Sequence, residues 1–387
     1  MAKLALGVFF GGKSTEHEIS VITALQAINN LDKDKYEIIP VYVSKQSDFY
    51  TGSKLLDIKS FKDLDSLILS LTPINLGRNR GAFGFFNKGL MPKFTKIDVA
   101  FPIFHGAFGE DGAIQGVFEV NNVPYVGLGV ASSAVGMDKT ISKPLFKSLG
   151  LNVLDSISFT RNDWLKDSDK IVENILNNFK MPIFVKPATL GSSIGVNKVS
   201  DRDGLSFAIE VAFVYCEKVL IEEALENVVE VNCSVLGYKE FKASVCEMPI
   251  STGELLSFAD KYQKGSKGSK SQGMASLARK IPAPIDEKTT KQIQDISIKI
   301  FGAMDGCGVA RIDYFVDEKN QKIIVNEINT IPGSLSYYLW DKSGIKFPDL
   351  LDKLIEMAKE RHSDREKTQY TFSTNVLQNF DSKGLKS

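Results

Sequence analysis

The first third of the chain alternates short apolar runs with amphipathic helical stretches, and that alternation restricts the fold more than any other feature. Leu4 to Phe10 is apolar, a helical pattern follows from about Glu18 to Leu31, and apolar runs return from Glu37 to Val43 and from Val99 to Phe104. This order predicts a parallel, Rossmann-like α/β unit, because a crossover between parallel strands must travel over a sheet face. After Gly127-Leu128-Gly129 a helical stretch runs from Val130 to Leu149, and Ile183-Phe184-Val185-Lys186 reads as a strand. From Lys218 onward strands dominate as far as Ile281. The expected organisation is therefore a Rossmann-like unit over 1–137, a second unit over 138–221, a third over 222–360 and a polar, weakly ordered extension over 361–387. Residues 264–276 are rich in Gly, Ser and Lys, too poor in apolar side chains to bury a core, and read as a linker or a lid.

A chain of 387 residues is too long for one ordinary core. Its 47 basic and 47 acidic residues cancel, so no global field recruits nucleic acid or an anionic membrane, and any anion site must be local. The apolar opening is followed by Gly11-Gly12 and charged residues without a signal-peptide cleavage pattern, and no stretch has the roughly 18 apolar residues of a membrane span. Cys216, Cys233, Cys246 and Cys307 show no C-x-x-C spacing and read as buried reduced thiols, which predicts a cytoplasmic protein.

Several loops carry chemistry. Gly11-Gly12-Lys13-Ser14-Thr15-Glu16-His17-Glu18 joins the first strand to its helix, where backbone N–H groups attract anions. It is not a Walker A motif. Thr15 and Glu18 fit a capping box, while Glu16 is placed either to grip a substrate ammonium or merely to begin the helix. His105-Gly106-Ala107-Phe108-Gly109-Glu110-Asp111-Gly112 is a second glycine-rich loop at a strand's carboxyl end, with His105 either ligand-binding or a satisfied loop histidine. Phe184-Val185-Lys186-Pro187 followed by Gly191-Ser192-Ser193-Ile194-Gly195 offers a strand lysine and a loop able to wrap phosphates. Lys139, Glu222, Glu223 and Glu230 are individually bland. Arg311-Ile312-Asp313, with Glu327-Ile328-Asn329 beyond it, places two acids and an amide at strand-like spacing, the hard oxygen ligands that Mg²⁺ prefers.

Taken together the segments GGKSTEHEIS, HGAFGEDGAIQG, MDK, FVKPATLGSSIGV, DKY at Asp260, RID and NEINTIPGS resemble the ATP-grasp ligases, and within them the D-alanine-D-alanine ligase family. The resemblance covers the chain except its tail. It implies an α/β chain (α+β overall) with the ATP-grasp fold behind a Rossmann-like N-terminal domain, ATP lying between two antiparallel sheets. It further implies cytoplasmic synthesis of a cell-wall precursor: ATP phosphorylates the carboxylate of one D-alanine, and the amine of a second attacks the acyl phosphate.

Carried over residue by residue, the resemblance gives Lys139, Lys186 and Lys261 to the phosphates of ATP, and Glu222 and Glu230 to its adenine and ribose. Asp313, Glu327 and Asn329 would hold two Mg²⁺ (or Mn²⁺). Glu16 would bind the first ammonium, linked through Ser192 to Tyr262 on a lid over 259–276. Arg311 and the N–H of Gly333 would stabilise the oxyanion, and His105 would sit beside a substrate. Many members are homodimers, which makes that a candidate state here. One departure stands out: after Gly333 the chain reads Ser334-Leu335-Ser336-Tyr337-Tyr338, shorter than in many members, so Ser336 or Tyr338 is left to meet the acceptor's carboxylate. Two rival readings are a depsipeptide ligase that takes D-lactate as acceptor, against which Tyr262 argues, and a nucleotide-binding module that has lost its chemistry.

Overall fold

The computed structural model describes residues 2–250 and 279–379. The expected lid, with Asp260, Lys261 and Tyr262, lies outside the described residues.

The first unit contains β1 (Leu4–Gly11), α1 (His17–Asn30), β2 (Tyr36–Val43), β3 (Phe49–Thr51), α2 (Leu64–Ser70), β4 (Thr72–Asn79), β5 (Ala82–Asn87), β6 (Phe94–Lys96), β7 (Val99–Phe104) and α3 (Ala113–Val120). They form a seven-stranded sheet of order β6-β5-β4-β3-β2-β1-β7. Only β2, β1 and β7 are parallel. The other four strands pair antiparallel, so the sheet is mixed where a parallel one was expected. Those strands are only partly buried, and β3, β4 and β6 lack the continuous apolar runs that mark β1 and β7.

The helical stretch from Val130 is two helices, α4 (Val130–Met137) and α5 (Lys139–Ser148), broken at Asp138, whose carboxylate caps α5 by accepting the Thr140 N–H at 2.9 Å. Next come β8 (Ser156–Thr160), α6 (Arg161–Lys166), α7 (Ser168–Asn178), β9 (Ile183–Pro187), β10 (Asn197–Val199), α8 (Asp203–Tyr215) and β11 (Lys218–Glu223), with an antiparallel sheet of order β10-β9-β11-β8. Glu222 belongs to this sheet, opposite Phe184 and Ser156, so the second unit extends beyond 221. The third sheet, β14-β13-β12-β15-β16, uses β12 (Val229–Tyr238), β13 (Glu240–Pro249), β14 (Arg279–Lys280), β15 (Gly308–Asp317) and β16 (Lys322–Asn329), backed by α9 (Glu287–Ala303). Leu128 and Phe146, flanking and within these early helices, pack into this third core and not the second.

The chain then returns to its beginning. α10 (Tyr337–Lys342) and α11 (Phe347–Arg365) bring Trp340, Leu350, Leu351, Leu354 and Ile355 into one core with Leu6, Val8 and Phe10 of β1. The expected polar extension from Arg361 is thus shorter: α11 continues to Arg365, and Arg361 donates to the carbonyls of Gly127 and Tyr125 at 2.5 and 2.9 Å while its guanidinium stacks on the Tyr125 ring.

Candidate functional site

Two concave surfaces meet between the sheets. The larger, about 650 Å³, is walled by β9, β11, β15 and β16 and the loop before β12, a size typical of small-ligand sites. The smaller, about 40 Å³, is lined by Glu16, His105, Glu110, Ser192, Arg311, Asn329 and Gly333 among others. Gly191 and Glu327 line both, so the two spaces join at that pair.

Strand alternation decides which side chains reach the large cavity. In β9, Ile183 and Val185 enter the core of the second unit, which turns Phe184 and Lys186 to the cavity. In β15, Ile312 and Tyr314 are buried in the third core, which leaves Arg311, Asp313 and Phe315 on the opposite face. Asp313 stands opposite Glu327, and Arg311 opposite Asn329, across an antiparallel pair whose register slips just beyond, between Asp313 and Tyr314. Such a bulge re-aims side chains, and here it sets two acids and an amide side by side.

The charges in this cluster are closely matched. Asp313 receives Nε and Nη2 of Arg311, each at 2.7 Å, and the Asn329 amide at 3.0 Å. Asp313 holds the Arg311 pKa well above its usual value, although burial works the other way. Lys139 reaches Glu327 at 3.0 Å and the Leu190 carbonyl at 2.9 Å. Burial opposes its charge, but Glu327 outweighs that and raises its pKa. The donor set of Asp313, Glu327 and Asn329 fits a hard divalent cation, since all three offer oxygens and the two carboxylates are already steadied by cationic side chains.

In the small cavity the loop after β1 meets the loop after β7. Glu16 accepts a short hydrogen bond from the Ser192 hydroxyl. Gly106 has φ +76, and a Cβ there would come within 2.5 Å of the Ser14 hydroxyl, so only glycine lets the loops approach this closely. Glu18 does not close a capping box: the α1 N-cap is Glu16, without a side-chain cap, and Glu18 instead pairs with Lys45 at 2.6 Å. His105 lies 3.0 Å from the Thr23 hydroxyl, which also accepts the Ser334 N–H at 3.3 Å. Burial, with Arg311 nearby, lowers the His105 pKa to about 4, so the ring is neutral at pH 7.

Glu110 was not singled out by the sequence, although its loop was. Its two oxygens accept the N–H groups of Gly106 and Ile331 at 2.8 and 2.9 Å, tying the His105 loop to the Gly333 loop. Burial, then the Glu16 carboxylate, raises its pKa to about 8.

Two expected ligands fall elsewhere. Glu222 is fully buried beneath Lys143 and Lys186 and does not line the cavity; its neighbour Glu223 does, together with Glu230. Only the β11 register separates these two acids. Ser336 is likewise fully buried and lines neither space, because residues 334–336 form a left-handed turn (φ 50 to 52) that carries them inward. The hydroxyls of Ser334 and Ser336 have no hydrogen-bond partner among the described residues. Tyr338 donates to Glu247 at 3.1 Å. The apolar cavity walls, Leu154, Leu225, Met248 and Phe315, carried no sequence signal that separates a ligand wall from ordinary core.

The two antiparallel sheets, with a cationic and carboxylate-rich cavity between them, define an ATP-grasp enzyme. The N-terminal domain description of the D-ala D-ala ligases matches residues 5–128, and the C-terminal description matches 145–356. The chain is 37% identical to the D-alanine--D-alanine ligase of Bacillus cytotoxicus over 96% of its own length and 100% of the relative's. It is 40% identical to that of Thermosipho africanus, over 96% and 98%. Among solved structures, the D-alanine-D-alanine ligase from Coxiella burnetii superposes with a TM-score of 0.79 at 31% identity, covering all of both chains. The VanG D-Ala:D-Ser ligase from Enterococcus faecalis gives 0.77 at 32%, covering 92% of this chain and 100% of that one. The chain belongs to the D-alanine-D-alanine ligase family.

Proposed function

We infer that the protein joins two D-alanines into D-alanyl-D-alanine at the expense of ATP, through an acyl phosphate, for peptidoglycan precursor synthesis. The observation that carries this reading is the junction of a nucleotide-sized cavity with a small polar one at Gly191 and Glu327. A triphosphate seated in the first directs its terminal phosphate into the second.

In this reading Lys139 and Lys186 bind the phosphates, Glu230 and Glu223 the ribose and base edge, and Phe184 and Phe315 the base faces. The Glu16 carboxylate takes the ammonium of the first D-alanine and is steadied by Ser192. The first carboxylate is then positioned for phosphorylation. Arg311 and the Gly333 N–H face the oxygen that becomes the oxyanion when the second amine attacks, the placement that lowers such a barrier most. Neutral His105, held by Thr23, sits beside the substrates, where an imidazolium would repel their ammonium groups. Asp313, Glu327 and Asn329 would hold two Mg²⁺ ions, which supply charge neutralisation for the transferring phosphoryl group. Tyr262, Lys261 and the lid belong to the same scheme. The Rossmann-like first domain, the two grasp domains, a homodimeric state and a cytoplasmic setting complete the proposal; among the described residues no helix is long and apolar enough to cross a membrane.

The test is ADP release with Mg²⁺-ATP and D-alanine alone, then with D-lactate or D-serine added, the products identified by mass. D-Alanyl-D-alanine with D-alanine alone is expected. Turnover that requires D-lactate or D-serine would refute the acceptor assignment, and no turnover in any mixture would refute the reaction.

A further inference from the structure

We infer that Lys143 is a positioning residue for the nucleotide: it holds Glu222 from beneath the cavity floor and so sets the charge that Lys186 presents to the ligand. The inference rests on the reading of Lys186 as an ATP contact. Lys139 and Lys143 lie one turn apart on α5 and so share a face. Lys139 lines the cavity, whereas Lys143 is 2% exposed and does not. Its Nζ pairs with one oxygen of Glu222, and the other oxygen takes Lys186 Nζ at 2.5 Å. Glu222 itself has no exposed surface. The charged groups facing Lys143 are Glu222, Lys186 and Lys139, together with Asp155, which is exposed and pairs with Lys147.

One buried carboxylate is therefore shared by two lysines. Lys186 alone would neutralise Glu222, so Lys143 is a surplus buried cation, and burying charge without a counter-charge is costly. A structural role would be served better by an apolar side chain of the same length. The surplus has a purpose if an anion completes the group from the cavity side, and the only surface this cluster shows to the cavity is the Lys186 ammonium. By engaging one Glu222 oxygen, Lys143 also limits the hold of that carboxylate on Lys186, which remains able to turn to a phosphate. Because Lys143 is covered, it acts only through these neighbours.

The experiment compares Lys143→Met, Lys143→Arg and Lys186→Met. It measures KM for ATP, KM for D-alanine and kcat, calorimetric binding of Mg²⁺-ATP without D-alanine, and the thermal midpoint. Lys143→Met is expected to raise both the ATP KM and the calorimetric Kd about tenfold, the size of effect one unit charge exerts through a protein medium. The D-alanine KM should stay within about twofold, and Lys143→Arg should restore ATP binding because it restores the charge. A Lys143→Met protein that binds ATP like wild type, while Lys186→Met does not, overturns the inference and leaves the Lys186 assignment standing. If Lys186→Met also binds ATP normally, both fall. Should Lys143→Met not fold, Lys143→Gln carries the same expectation.

Discussion

Replacing Glu110 by glutamine should flatten the pH dependence of stability in the neutral range. Glu110 is buried between two substrate loops and beside Glu16, and its pKa rises from an ordinary 4.5 to about 8. At about 1.4 kcal/mol per tenfold change in proton affinity, the full displacement corresponds to roughly 5 kcal/mol. Its sign follows from linkage. The folded state binds the proton more tightly than the unfolded one, so this contribution is complete below pH 4.5 and is lost as pH rises through 8. Between pH 6.5 and 8 the loss is roughly 2 kcal/mol. Buried His105 and His17 work in the opposite sense, since burial lowers both pKa values and their contribution grows as pH rises towards 6.5. Both histidines are common to the two proteins, so the difference between them isolates Glu110. Urea unfolding of wild type and Glu110→Gln at intervals from pH 5.5 to 8.5 reads it directly. Parallel stability curves for the two proteins would refute the assignment of a raised pKa to Glu110.

Two other substitutions test the cluster and the chain's return. Asp313→Asn should cut turnover about a hundredfold or more; it and Asp313→Ala both leave buried Arg311 without its counter-charge and should each destabilise by roughly 3–5 kcal/mol, so a wild-type urea midpoint for either variant would contradict this. Arg361→Ala removes two hydrogen bonds and a stacked cation from the Tyr125–Gly127 segment and should cost roughly 1–3 kcal/mol in urea unfolding, against no loss if the end of α11 were a loose extension.

Much of the site was legible because its motifs are local. Glu16, His105, Lys139, Lys186, Ser192, Arg311, Asp313, Glu327, Asn329 and Gly333 all line the joined cavities; residue type and spacing pointed to Lys186, Arg311, Asp313, Glu327 and Asn329, left Glu16 and His105 open, and reached Lys139 and Gly333 only through the family resemblance. The expectations whose side chains lie away from the cavities share one cause, which is that spacing does not reveal what covers a side chain. Glu222 and Glu223 are adjacent acids, and only the pairing of β11 with β9 decides which is roofed by lysines. Ser336 looked available by composition, but three successive left-handed residues turn it inward. Glu18 fits a capping box in sequence, yet Lys45, brought near by β2, engages it instead.

The sequence by itself determined the α/β alternation of the first third and the loops and strands that carry charge, because apolar periodicity and glycine-rich loops act over a few residues; the ATP-grasp fold followed from the resemblance of its ordered motifs. The tertiary structure alone decided the mixed first sheet, the return of α10 and α11 onto β1, the register that faces Asp313 with Glu327, and the stacking of Lys143, Glu222 and Lys186. Each depends on contacts between residues far apart in the chain, where burial and the neighbouring charges fix both the position of a group and its protonation.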